Sequence, residues 1–178
     1  MKKFLLLLLV LTVCLSAFIG CSDFDNKNTE SDDEENFNAQ NTEQVSNFPK
    51  GPPALSVTDG KTTIPAWRGT CSWMFENEGG TISGINSDSP HPLDCKDDIQ
   101  AIKISDNTTL TLNFEASPTK ITVKRYKLNA SDYDTYDDIT VTENKIKVKD
   151  KDYLYEVIAK WDTDSYGGTV YYAFRTEN

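Results

Sequence analysis

The chain has 178 residues, 28 acidic against 18 basic, a single histidine and a formal net charge of −10. That balance argues against nucleic acid, wall polyanions and anionic headgroups as partners, since each calls for basic surface. Cationic peptides and metal ions stay open, beside the plainer reading of an acidic surface that keeps the protein soluble.

The first element is Lys2-Lys3, an apolar run from Phe4 to Val13, and Leu15-Ser16-Ala17-Phe18-Ile19-Gly20 before Cys21. Basic, then apolar, then a small residue is the layout of an export signal. The run is shorter than the ~20 residues of a spanning helix and contains Thr12 and, further on, Ser16. A cysteine directly after the small residue resembles a bacterial lipobox, although Phe18 stands where leucine is usual. The resemblance implies a lipoprotein signal peptide over residues 1–20, cleavage between Gly20 and Cys21, and diacylglyceryl attachment to the Cys21 thiol. Cys14 is a rival lipidation site, but Val13 before it is bulky. Two or more acyl chains hold a protein stably at a membrane. The expected location is therefore the extracellular face of the cell membrane, with the membrane as a partner through the lipid.

Residues 21–51 read as a disordered acidic linker. The stretch 21–46 carries eight acids against Lys27 alone, including the run Glu30-Ser31-Asp32-Asp33-Glu34-Glu35, and cannot bury enough apolar surface to fold. Its span is on the order of 30 Å, lengthened by self-repulsion. Pro49, Pro52 and Pro53 close it, and one domain follows over residues 52–178.

That domain shows short runs of period-2 alternation, the mark of strands. Leu110, Leu112 and Phe114 alternate with polar residues, as do Ile121 and Val123, Ile139 and Val141, and Ile146 and Val148. Tyr153, Tyr155, Val157, Ala159 and Trp161 share a face, and so do Val170, Tyr172 and Phe174. Breakers are expected at Asp59-Gly60, Gly79-Gly80, Ser105-Asp106-Asn107, Ser117-Pro118, Glu143-Asn144 and Gly167-Gly168. The pattern points to an all-β, antiparallel β-sandwich, immunoglobulin-like in general architecture, with a hairpin loop over Asp162–Gly168. The immunoglobulin Cys-Trp-Cys spacing itself is not met. Lys145, Lys147 and Lys149 read as the solvent side of a strand, where lysine blocks edge-to-edge pairing.

Cys71 and Cys95 are the cysteines left in the domain. In an exported protein they are expected to pair, with free thiols as the rival. Neither has a second cysteine or histidine at metal-ligand spacing. The segments Arg68-Gly69-Thr70-Cys71-Ser72-Trp73 and Asp88-Ser89-Pro90-His91-Pro92-Leu93-Asp94, the strand ending at Phe114, and Pro118-Thr119-Lys120-Ile121-Thr122-Val123 resemble uncharacterised lipoproteins and exported domains of Firmicutes. The resemblance implies a β-rich fold and carries over no activity. The Asn-, Lys- and Ile-rich composition agrees with a Gram-positive source, where exported disulfides are less common.

Chemistry is sparse. His91 sits between two prolines, which stiffen the backbone and present the ring at a fixed place, as a core-edge residue or as a functional one. No multi-histidine centre can form around one histidine, and there is no Gly-x-Ser-x-Gly elbow. Asp132, Asp134, Asp137 and Asp138 crowd one turn. Asp162-Thr163-Asp164 begins like a calcium loop but fails at Tyr166 and Ala173. No metal or cofactor is expected. Trp67, Trp73, Tyr133 and Tyr136 are candidates for a stacking platform or docking patch, against the alternative that they are core. The loop between Cys71 and Cys95 is the candidate binding loop, with Trp73 as aromatic face, His91 as titratable ring and Asp94 as carboxylate. The leading expectation is a non-catalytic binding module with a protein or glycan ligand. The alternatives are a cell-envelope hydrolase using carboxylates and an inhibitor or immunity-type lipoprotein.

Overall fold

A computed structural model describes residues 49–178. The signal peptide 1–20, the Gly20/Cys21 cleavage and lipidation positions, and the linker as far as residue 48 lie outside the described residues. Among the described residues the one helical element is the 3-10 turn Lys96–Asp98, and no helix is long and apolar enough to cross a membrane.

Eleven strands form two sheets: β1 Leu55–Thr58, β2 Thr63–Pro65, β3 Trp67–Glu76, β4 Ile82–Ser87, β5 Ala101–Lys103, β6 Thr108–Phe114, β7 Lys120–Lys127, β8 Asp137–Ile139, β9 Lys145–Val148, β10 Tyr153–Asp162 and β11 Tyr166–Glu177. The small sheet runs β2-β1-β6-β9. The large one runs β4-β3-β11-β10-β7-β8, with β5 parallel to the end of β11. All other pairings are antiparallel, and the all-β sandwich is the architecture read from the alternation.

The core between the sheets follows that alternation. Leu55, Val57, Leu110, Leu112, Ile146 and Val148 come from the small sheet, and Val123, Tyr155, Val157, Ala159, Trp161, Val170, Tyr172 and Phe174 from the large one. Lys145 and Lys147 face solvent on β9, which lies at the edge of its sheet, as negative selection against edge pairing requires. Glu143 and Asn144 both have positive φ, 51° and 58°, and Thr142 and Lys145 exchange both backbone hydrogen bonds around them. That is a type I′ turn, whose twist suits the flanking strands.

Two expectations change. The β10–β11 hairpin is tighter than Asp162–Gly168: pairing continues to Asp162↔Gly167, and the loop is Thr163-Asp164-Ser165. Gly167 and Gly168 are therefore interior to β11 and do not break it. Gly168, at φ 147°, is paired with Trp161 on one side and Trp73 on the other. A Cβ there would lie 2.0 Å from the Ser72 carbonyl oxygen, so this glycine marks a close approach of two backbones.

A bulge shapes the other long pairing. Val170 faces Cys71, but Tyr172 faces Arg68, so Gly69 and Thr70 together oppose Tyr171. One extra residue reverses which side the next side chains take. Cys71 and Trp73 consequently point into the main core, while Trp67 turns to the opposite, outer face of the large sheet. There a second small core forms from Tyr126, Leu154 and Ala173 with Leu93 and Ile99, and with Trp67, Leu128 and Ala130 at its border. Leu93 and Ile99 belong to the 88–100 connection, which covers this face. Lys96 Nζ donates to the Leu128 carbonyl at 2.9 Å, and Arg175 Nε donates to that of Ile99 at 2.8 Å.

The proline-rich segment 49–53 is strapped onto the domain. Trp73 Nε1 donates to the Pro49 carbonyl at 3.3 Å, Arg68 Nη1 to that of Pro52 at 3.0 Å, and the Tyr172 hydroxyl to that of Pro53.

Candidate functional site

The structure separates the three residues placed on the candidate loop. Most of the span from Cys71 to Cys95 is the β3–β4 hairpin, and only the part from Asp88 onward is an irregular connection. Trp73 is fully buried, edge-on to Trp161 at 5.3 Å and tilted against Tyr166 at 5.6 Å. It is core and offers no face to a ligand.

The expected disulfide is also absent: Cys71 and Cys95 are both free thiols. Cys71 lies in the core between the sheets and Cys95 in the connection that covers the outer face, so the large sheet stands between them. Denatured protein should therefore alkylate at both positions without reductant. In the folded protein the half-buried Cys95 should react well before Cys71. A linked Cys71–Cys95 peptide in a non-reducing map is the result that contradicts this.

His91 and Asp94 do come together, through a residue some forty positions away. The His91 ring stacks on Tyr133 at 4.2 Å and 14°, and meets Tyr126 edge-on at 5.2 Å. Tyr133 donates its hydroxyl to Asp94 Oδ1 at 2.6 Å, and this bond holds the phenol proton above its usual pKa. Locally, Leu93 N–H donates to His91 Nδ1 at 3.2 Å. An Nδ1 that accepts leaves the imidazole proton on Nε2, so the neutral ring presents a donor there.

His91 also lines a cavity of about 390 Å³, together with Trp67, Thr70, Glu156, Tyr171, Ser89 and the flanking prolines. The bulge in β3 brings Trp67 to it. Gly69 lies beneath the indole, where a Cβ would come within 2.9 Å of the ring. Thr70 Oγ1 accepts from Ser89 N–H at 3.1 Å and ties the connection to β3. Glu156 sits in the middle of β10 with 7% of its surface exposed, the one buried charged residue among the described residues. Its Oε2 accepts from the Tyr126 hydroxyl at 3.2 Å. Burial first, and then the Glu156 charge, push the Tyr126 phenol well above its ordinary pKa.

Arg125 and Asp132 are already satisfied. Arg125 bonds Asp137 at 2.7 Å and Asp150 at 3.0 Å and lies over the Tyr153 ring at 4.3 Å. Asp132 accepts from Asp134 N–H and the Thr135 hydroxyl, which lowers its pKa and explains the acidic turn as a hydrogen-bonded one. Among the described residues no group of three or more histidine, cysteine, aspartate or glutamate side chains is placed to hold a metal ion. Tyr126, Glu156 and Trp67 are the site residues that the linear sequence does not bring to His91. Comparison with protein-family models, with curated proteins and with solved structures finds no match.

Proposed function

We propose that this protein is a lipid-anchored, extracellular binding module, and that the cavity between the 88–100 connection and the outer face of the large sheet is its recognition site. The observation that carries the reading is the buried Glu156 carboxylate in a cavity walled by Trp67 and His91. Cavities of this size with few polar groups set among aromatic walls are the usual form of a ligand site. Glu156 is the single carboxylate in the lining, which favours binding over hydrolysis by two carboxylates. The anchor rests on Gly20-Cys21 in the lipobox-like segment.

Each half has its test. A Cys21→Ala protein is expected to leave the membrane fraction and lose acyl labelling; retained labelling removes the anchor. Peptide and glycan fractions of cell envelope, added to isotope-labelled protein, are expected to shift the resonances of Trp67, Thr70, Ser89 and His91 and to be recovered unaltered. Cleaved ligand, or shifts confined to another surface, overturns the binding reading.

A further inference from the structure

An ionised carboxylate removed from water is costly unless something compensates its charge. Glu156 has one side-chain hydrogen-bond partner, the neutral Tyr126 hydroxyl, at a long 3.2 Å from Oε2. Its cross-strand neighbour is Lys124, a natural counter-ion, yet the Lys124 ammonium sits 4.1 Å over the Tyr136 ring instead. Among the described residues no lysine or arginine forms a salt bridge with Glu156. The carboxylate is held in a cavity large enough for a small organic group, on a domain whose residues 52–178 carry 20 acids and 14 bases.

We infer that this cavity binds a primary alkylammonium group, with Glu156 as its counter-ion. The inference rests on the binding reading above and names the ligand's chemistry. Tyr126 takes up part of the acceptor capacity of one carboxylate oxygen and competes there with a bidentate guanidinium fork, whereas an ammonium, a compact point charge, needs only the other oxygen. The Trp67 indole and the prolines on either side of His91 supply apolar wall for an alkyl stem, and an indole face attracts a cation in its own right. Negative net charge raises the encounter rate with such ligands. Two sources offer the same group: a lysine side chain of a peptide and the amine of an amino sugar.

The test uses the full chain in mild detergent and reads Trp67, the one tryptophan not fully buried, by fluorescence and by its indole N–H resonance. n-Butylammonium chloride is expected to shift both signals saturably, and 1-butanol, of the same shape without the charge, is expected to bind at least tenfold more weakly. Glu156→Gln, which keeps an acceptor for Tyr126, is expected to weaken n-butylammonium binding about tenfold or more. Nα-acetyl-lysine amide binding more tightly than glucosamine assigns the group to a peptide, and the reverse assigns it to an amino sugar. Equal binding of butanol and butylammonium, or no binding of any amine, overturns the inference. In that event, shifts at Trp67 caused by a neutral envelope component leave the binding module standing, and their absence removes both. The butanol comparison is made on the native chain, so it decides even if Glu156→Gln fails to fold.

Discussion

Gly168→Ala is expected to destabilise the domain by about 3 kcal/mol, a fall in Tm of roughly 10 °C. Two costs add at this position. Its φ of 147° is a conformation that side chains rarely adopt, and the new Cβ would press against Ser72 O at 2.0 Å and Trp73 Cα at 2.9 Å. Both obstacles are backbone atoms of a paired strand, so no side-chain rotation relieves them. Gly51→Ala is the control, because nothing lies within 4 Å of its Cβ position and its φ is not positive. Urea denaturation of the two variants should separate them clearly. Equal midpoints would contradict the close approach of β11 and β3.

Trp73→Ala should be at least as damaging, at about 4 kcal/mol. Its indole fills the core against Trp161 and Tyr166 and donates to Pro49, so truncation leaves a cavity and an unpaired carbonyl together. Trp67→Ala removes a half-buried ring at the border of the small outer core and should cost markedly less. The pair of variants separates the two aromatic roles: loss of Trp73 is expected to lower the urea midpoint, while loss of Trp67 is expected to act chiefly on the proposed ligand binding. A Trp73→Ala protein that melts like the parent would return Trp73 to the list of surface candidates.

Legibility in the sequence followed the regularity of the strands. β6 and β9 each have one wet and one dry side, and the alternation at Leu110-Leu112 and Ile146-Val148 marks it plainly. The region before β6 is harder for physical reasons. The Gly69-Thr70 bulge breaks the period of β3 in the middle, and β4, Ile-Ser-Gly-Ile-Asn-Ser, is exposed along nearly its whole length and carries no buried stripe. Gly167-Gly168 misleads because glycine signals a turn and a tight backbone contact with the same letter. At the site, His91 and Asp94 are near neighbours and could be grouped by eye. Tyr133 reaches them only across the fold, through a stack and a hydrogen bond that no spacing rule encodes. Glu156 did leave a trace: it is a lone acid inside the run Tyr153–Ala159, which the fold buries on both faces. The disulfide expectation followed from the export compartment alone, and the sheet between the thiols is a fact of topology that composition does not contain.

The strap at Pro49–Pro53 has a mechanical consequence. A pull arriving from upstream meets three side-chain donors, from Trp73, Arg68 and Tyr172, before it loads the ladder of β1. These bonds break one after another, so the strap peels at low force, whereas the β1 ladder is loaded afterwards and lies inside the small sheet, flanked by β2 and β6. Peeling the five residues releases at most about 17 Å of slack. Under such a load the segment is expected to give first, while the sandwich and its cavity keep their shape.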